Sequence, residues 1–328
     1  MESVALSIAL LLASGIRIST PLILGTLGES LTERAGLLNL GVEGMMMLGA
    51  STSYLIALRT GSVFLSLLGG LLAGLLGALI YAFLTVSMRA NQTVTGLALT
   101  IFGVGFGNTL GKLGAGANVP ELVVEFFRKS PFSLAVAGGK PGPVLSFINA
   151  AFLEHNFFVY LAIALAILMY IFLFKTRYGL NVRAVGESAP AADAAGLPVA
   201  KIQYGAVLVG GGLAGLAGSY YPLANIGTWS DGITSGRGWI VVALVIFIRW
   251  HPIKAIFGSF LFGLLDVIGF RLPTLLPQVA DWPIFSEYAF NMYPYIMTII
   301  VLILSSTGRR KIWPGPAGLG RSYFREER

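Results

Sequence analysis

The chain of 328 residues contains no cysteine and only two histidines, and charged side chains make up only 11% of it. Without cysteine there is no disulfide framework, thiol nucleophile or thiolate metal site. Soluble domains carry about 25% charged residues. The low charge, together with 55% hydrophobic residues, indicates that lipid surrounds most of the chain. The net charge of +7 requires no nucleic-acid partner, because basic residues collect at the cytoplasmic ends of membrane spans.

Motifs for metal, nucleotide or catalytic chemistry fail on their spacing or context. His155 and His251 are far apart in sequence, and no metal-ligand cluster accompanies them. The glycines at 210, 212 and 215 have dinucleotide-site spacing, but no strand precedes them. In residues 107–113, Leu113 stands where a P-loop needs Ser or Thr for Mg²⁺. We therefore expect no metal, no cofactor and no enzymatic site in this chain. If the chain pumps a solute, its energy comes from a partner or from an ion gradient.

Long apolar runs recur along the sequence, and they predict an all-α, polytopic membrane protein. About nine spans are expected, with eight to ten compatible with the pattern. They lie near residues 4–28, 36–58, 63–88, 93–113, 156–174, 202–226, 239–248, 253–270 and 293–306. The 239–248 run is short, and it could begin nearer residue 237. Residues 1–306 then form one transmembrane domain, and residues 307–328 form a basic, Pro- and Gly-rich tail, for which anchoring at an anionic leaflet is the simplest role.

Lysine and arginine set the expected orientation. With the C-terminus inside, 14 of the 22 basic residues fall in inside loops and seven fall in outside loops. Arg17 lies within the first span. This bias predicts an N-out, C-in topology. Residues 114–155 then form a long extracytoplasmic loop, and residues 176–201 form a cytoplasmic loop.

The cytoplasmic loop contains the signals of a short, capped helix. Ser188 can cap the helix start, Pro190 fits the first turn, and Gly196 followed by Pro198 fits a stop. The pattern predicts about two helical turns outside the membrane, between two spans. A capped helix in such a loop indicates that another protein docks on it.

Charged residues inside predicted spans are the main candidates for a solute pathway. Arg17, Glu43 and Asp266 lie in predicted spans. A charge in hydrocarbon is costly, so each of these residues suggests a functional role. A structural pair, such as Arg17 with Glu43, is the competing interpretation. The glycines on either side of Glu43 favour an unwound, cavity-lining span. The candidate pathway residues are Asn39, Glu43, Thr93, Asn108, Tyr221 and Asn225.

Small residues recur every four positions in three spans, at 70, 74 and 78, at 103, 107 and 111, and at 211, 215 and 219. Such stripes let helix backbones approach closely. Packing within one subunit is the simpler explanation. A sliding surface or an interface between two subunits is the alternative.

Three blocks resemble one known family. They read LTERAGLLNLGVEGMMMLGA at 31–50, RAVGESAPAADAAGL at 183–197 and GRGWIVVALVIFIRWHP at 236–252. In this order they are similar to bacterial ABC importer permeases of the branched-chain amino acid/ribose superfamily. Within that superfamily they are most similar to the nucleoside and simple-sugar subgroup. The resemblance covers nearly the whole chain.

The resemblance implies a multi-pass subunit of the bacterial plasma (inner) membrane that imports a small neutral solute by alternating access. Its implied partners are a second homologous permease in a heterodimer, an ATPase with two nucleotide-binding domains and an extracytoplasmic substrate-binding lipoprotein. ATP and Mg²⁺ would be held by the ATPase. The segment 186–196 matches the family's coupling region. The expected coupling residues are Arg183, Glu187, Ser188, Pro190, Ala192 and Gly196.

The substrate class stays open at this point. A nucleoside is expected first. A simple sugar or a branched-chain amino acid is the alternative within the same family. Outside it, a stand-alone ion-coupled transporter would need no ATPase. Few acidic residues or histidines lie in the spans, which disfavours a proton relay.

Overall fold

The computed structural model describes residues 2–132, 142–275 and 315–324, with residues 292, 293, 295–297, 299, 300 and 303 between them. This part of the chain is helical and contains no β-strand, as the sequence predicted. The helices are α1 (Glu2–Arg34), α2 (Val42–Thr60), α3 (Val63–Ala82), α4 (Gln92–Lys112), α5 (Glu121–Arg128), α6 (Pro143–Ile148), α7 (Phe157–Lys175), α8 (Arg177–Glu187), α9 (Ala189–Ala194), α10 (Val199–Tyr220), α11 (Arg237–Ile248) and α12 (Pro252–Leu275). π-Helical turns extend α3 over Phe83–Ser87, α6 over Asn149–Leu153 and α10 over Tyr221–Ile226.

Five described helices are long and apolar enough to cross a membrane. They are Ser7–Arg34, Val63–Ser87, Gln92–Lys112, Phe157–Lys175 and Val199–Ile226. α11 has 12 residues, so at about 1.5 Å per residue it is roughly 18 Å long, which is shorter than the hydrocarbon core of about 30 Å. It begins at Arg237, as the alternative start for that run predicted. Half of the positions in the predicted span at 293–306 lie outside the described residues.

The connection between α1 and α2 differs from the prediction. α1 continues to Arg34 instead of ending near residue 28, and the run predicted to be helical from residue 36 becomes helical only at Val42. Gly36 has φ +90°, a left-handed conformation that interrupts the helix. Residues 36–41 are therefore an irregular segment, and most of them are buried.

Side chains from two helices, α3 and α4, satisfy the backbone of this segment, which is the condition for irregular structure at depth. Gln92 Oε1 accepts from the Leu38 N–H at 2.8 Å, and Tyr81 Oη donates to the Leu38 carbonyl at 2.6 Å. Thr100 Oγ1 donates to the Leu40 carbonyl at 2.7 Å. The sequence favoured an unwound, cavity-lining span around Glu43. The irregular segment instead ends before it, at Gly41, because Glu43 and Gly44 both lie in the first turn of α2.

The small-residue stripes pack against one another within this chain. A Cβ on Gly74 would meet the backbone of Gly211 and Gly215, and one on Gly49 would also meet Gly215. A Cβ on Gly103 would meet the backbone of Gly44. Helices α2, α3, α4 and α10 therefore approach at backbone distance, and the within-subunit interpretation of the stripes is confirmed.

The described parts of residues 114–155 are structured. α5 and α6 both lie there, and Val119 N–H donates to the Gly227 carbonyl at 2.8 Å. Tyr54 Oη lies 2.7 Å and 2.6 Å from the carbonyl oxygens of Gly114 and Ala117, which share its single O–H donor. This region is tied to the start of the segment between α10 and α11.

Candidate functional site

The predicted capped helix is α9. Ser188 Oγ accepts from the Ala191 N–H at 3.3 Å, Pro190 lies in the first turn, and Gly196 has φ +83° beyond the last turn. The prediction of start, first turn and stop is confirmed. The residues before it form a second helix, α8, and not an open loop, because Thr176 caps them by accepting from the Gly179 N–H at 3.1 Å.

The predicted coupling residues occupy different positions on this segment. Glu187, Ser188, Pro190 and Gly196 are exposed. Ala192 is buried, at 4% exposure, and packs in a small core with Val185 and Val199. Its contribution is therefore to hold α9 against α8 and α10. Arg183 is half-buried, with its guanidinium 5.1 Å from the centre of the Phe174 ring.

Aromatic rings pack against one another next to α8. His251 stacks on Phe174 with ring centres 5.4 Å apart, and it lies 5.5 Å from Tyr170. Burial lowers the pKa of His251, and the nearby Lys254 lowers it further. The indole of Trp250 donates to Glu33 at 2.5 Å. These contacts join α1, α7 and the turn before α12.

Glu43 is held by the start of α11. Its two carboxylate oxygens accept from the Thr234 hydroxyl at 2.5 Å, the Gly236 N–H at 3.0 Å and the Gly238 N–H at 2.5 Å. Only 5% of Glu43 is exposed. A carboxylate suits this position because the first N–H groups of a helix have no partners within it, and the helix dipole is positive there. Glu43 therefore joins α2 to α11.

The suggested pair of Arg17 with Glu43 is wrong. Arg17 is exposed and its Nε donates to the Ala13 carbonyl at 3.4 Å in its own helix. Arg237 instead forms an ion pair with Asp266, at 3.6 Å. The Arg237 guanidinium also lies 5.5 Å from the centre of the Tyr221 ring.

A cavity of about 380 Å³ with both polar and apolar walls lies between α1, α10 and α12. Its lining residues are Ser14, Arg17, Ile18, Tyr220, Ala224, Asn225 and Val267. Asn225 is exposed. Tyr221, next to Tyr220, is buried with the Arg237–Asp266 pair. Two of the predicted pathway residues, Tyr221 and Asn225, are therefore at or next to this cavity.

The other predicted pathway residues are elsewhere. Asn39 is buried and its Oδ1 accepts from the Gly41 N–H at 2.9 Å, which shapes the turn before α2. Asn108 Oδ1 accepts from the Gly232 N–H at 2.9 Å, which fixes the segment before α11. Thr93 is exposed in the first turn of α4. These residues do not line the 380 Å³ cavity.

Comparison with known proteins gives the family. Residues 11–305 match the family described as branched-chain amino acid transport system / permease component. The chain belongs to this family. It is thus a transport component of a membrane protein complex, and membership implies an ATPase and a substrate-binding protein as partners.

Three relatives align with the permease over most of their lengths. TsgC13 of Haloferax volcanii, provisionally assigned as a glucose ABC transporter permease, is 36% identical over 96% of this chain and 98% of its own. The guanosine ABC transporter permease NupQ of Bacillus subtilis is 36% identical over 87% of this chain and 88% of its own. The nucleoside ABC transporter permease NupC of Lactococcus lactis subsp. cremoris is 34% identical over 91% of this chain and 92% of its own.

The sequence reasoning missed two buried acids of the permease. Glu29 and Glu33 lie one turn apart near the end of α1, with 2% and 1% exposure. Glu29 accepts from the Asn39 N–H at 3.2 Å, and Glu33 accepts from Trp250. The signal was their spacing of four residues, which places both on one helix face. Within the described residues, no group of three or more His, Cys, Asp or Glu side chains has the arrangement of a metal site.

Proposed function

We propose that this permease imports nucleosides by alternating access, driven by a separate ATPase that docks on α9. The single observation that supports this most is the exposed, capped α9 between two apolar helices of a chain in this family. ATP and Mg²⁺ belong to the ATPase in this proposal. The permease contributes the solute pathway.

One continuous helix connects α9 to the cavity. α9 shares its small core with Val199, the first residue of α10. The helix continues through its π-helical turn to Ile226, 28 residues in all, which is about 42 Å at 1.5 Å per residue. Tyr220 and Asn225, near the far end, line the cavity. A displacement of α9 by the ATPase would thus reach the cavity through one helix.

The proposed topology has the N-terminus outside, the C-terminus inside and about nine spans. The ion pair of Arg237 with Asp266 supports this orientation, because it removes Arg237 from the outside loops. The inside loops then hold 14 basic residues and the outside loops hold six. Residues 1–306 form the permease domain and 307–328 the cytoplasmic tail, and the plasma membrane is the site of action.

The proposed assembly pairs this permease with a second, homologous one in a heterodimer. The ATPase would carry two nucleotide-binding domains, and a lipoprotein outside would deliver the solute. The ATPase shifts the two permease states only by its differential affinity for them. The predicted coupling residues Glu187, Ser188, Pro190 and Gly196 would face it, with Arg183 and Ala192 behind them.

The proposed substrate class rests on the cavity and on two relatives. A volume of about 380 Å³ is within the range of roughly 300–1,000 Å³ for small-molecule sites. An amide and a tyrosine on its walls suit a flat, hydroxylated solute. NupQ and NupC are named for guanosine and nucleosides. A sugar is the second candidate, because TsgC13 is named for glucose.

Substrate class is testable on the assembled transporter. Asn225→Leu should weaken the apparent affinity for nucleoside uptake by about tenfold, the loss of one or two hydrogen bonds. Thr109→Val is the matched control, since Thr109 is exposed and bonds only its own helix at Gly105. Glucose or leucine uptake that responds in place of nucleoside uptake would reject the nucleoside proposal.

A further inference from the structure

The C-terminal segment 315–324 lies against the segment that carries α9. Its Gly318 N–H donates to the Gly186 carbonyl at 2.9 Å, at the end of α8. The Ala317 N–H donates to a carboxylate oxygen of Glu187 at 3.2 Å. These contacts could not be predicted from the sequence, because about 130 residues separate the partners.

Side chains of the same segment reach α9 and a neighbouring turn. Tyr323 Oη donates to Asp193 of α9 at 2.9 Å, and its ring packs against the small core around Ala192. The Arg89 guanidinium lies 4.8 Å from the centre of the Phe324 ring. Protein groups therefore engage both aromatic residues that would otherwise anchor the segment in a membrane interface. The leaflet-anchor role expected for the tail does not fit these ten residues.

A groove of about 310 Å³ separates this segment from α9. Glu187 and Pro190 lie on one wall, and Arg321 and Ser322 lie on the other. Glu187, Pro190 and Arg321 are exposed and Ser322 is half-buried. Two opposite charges flank the groove, so a polar protein surface matches it better than lipid tails do.

The segment is also joined to the helix bundle. The Gly320 N–H donates to the carbonyl of Gly36, in the irregular segment after α1, at 3.1 Å. A Cβ on Gly315 would meet the indole of Trp250, and Trp250 bonds Glu33 of α1. A protein that presses on both walls of the groove thus presses on α9 and on the end of α1 together.

We propose that residues 315–324 form the second wall of the ATPase-docking site, so that the ATPase binds the groove between this segment and α9. The inference rests on the proposed function, because it needs α9 to be the site where the ATPase docks. It adds a contact surface that lies outside the coupling region predicted from the sequence.

The test compares three tryptophan variants of the full chain co-expressed with its ATPase. Ser322→Trp fills the groove from the tail wall, and Ala191→Trp enlarges the exposed face of α9. Lys175→Trp is the control, because Lys175 is exposed at the end of α7 and does not line the groove. Ser322→Trp and Ala191→Trp should each bind the ATPase about tenfold more weakly than the control.

The outcomes separate the two proposals. If only Ala191→Trp weakens binding, the tail proposal is overturned and α9 stands as the docking site. If neither variant weakens binding, the proposed function of α9 fails as well. If only Ser322→Trp weakens binding, the ATPase binds the tail without α9, which contradicts the two-walled site.

A second measurement covers the case in which Ser322→Trp does not fold. Because the chain lacks cysteine, Ser322→Cys introduces a single thiol into the groove, and Lys175→Cys gives a matched one outside it. A soluble maleimide should label Ser322→Cys several-fold more slowly once the ATPase is bound, and Lys175→Cys at an unchanged rate. Equal labelling of Ser322→Cys with and without the ATPase overturns the proposal.

Discussion

The carboxylate of Glu43 accepts a hydrogen bond of 2.5 Å from the N–H of Gly238, in the first turn of α11. Two further bonds, from Thr234 and Gly236, complete the contact. The chain thus joins α2 to α11 through one buried charge at a helix N-terminus. This geometry makes Glu43 a structural residue first, although the sequence singled it out for the solute pathway.

Replacing Glu43 tests that assignment. Glu43→Gln puts an amide N–H₂ where a carboxylate oxygen accepts bonds, so at least one donor loses its partner. We expect a loss of about 1–3 kcal/mol in the free energy of unfolding, measured by thermal unfolding in detergent. Glu125→Gln is the control, because its ion pair with Lys129 is exposed and contributes under about 1 kcal/mol. Unchanged stability with lost uptake would move Glu43 to the solute pathway.

Two glycine substitutions test the close helix packing. A Cβ on Gly218 would meet the backbone of Met46, whereas one on Gly105 would meet nothing within 4 Å. Gly218→Ala should lower the free energy of unfolding by about 1–3 kcal/mol through overpacking. Gly105→Ala should be neutral or should stabilise α4 by up to about 1 kcal/mol. Equal thermal unfolding of both variants would contradict the packing of α10 on α2.

The cap of α9 offers a test of coupling without disturbing the bundle. Ser188→Ala removes the acceptor for the Ala191 N–H, a change that costs about 1 kcal/mol of helix stability. ATP hydrolysis stimulated by substrate should fall, while the affinity of the substrate-binding protein for solute stays unchanged. Ser188→Asp restores a capping oxygen and should restore the stimulation. A Ser188→Ala transporter with full stimulation would show that an ordered α9 start is not needed.

The stability of the bundle should depend on pH through His251. Burial against Tyr170 and Phe174, with Lys254 nearby, lowers the pKa of His251. The unfolded chain therefore binds this proton more readily than the folded chain. The stabilisation is complete above the unfolded pKa of about 6.5, and it is lost as the pH falls towards the lower folded pKa. His251→Phe should flatten this part of the pH profile in thermal unfolding. An unchanged profile would contradict it.

Features that depend on nearby residues could be predicted from the sequence. The cap, first turn and stop of α9 fall within nine residues, and the small-residue stripes repeat along single helices. Both predictions are confirmed, and so is the all-α class. The family itself could be recognised from three blocks, at 31–50, 183–197 and 236–252.

Features that depend on distant partners could not be predicted. Arg237 and Asp266 pair across 29 residues, and Tyr323 meets Asp193 across 130. Hydropathy also misplaced the end of α1, because Glu29 and Glu33 are buried against other helices and do not end the span. Charge alone suggested the wrong partner for Arg17.

ATP-dependent uptake of a labelled nucleoside into proteoliposomes tests the central claim most directly. The vesicles hold this permease and its partner permease, with or without the ATPase, and the binding protein is supplied outside. We expect uptake only when the ATPase and ATP are both present, and we expect it to be lost in the Ala191→Trp variant but not in Lys175→Trp. Equal uptake by the permease without the ATPase, driven by an ion gradient, would contradict it.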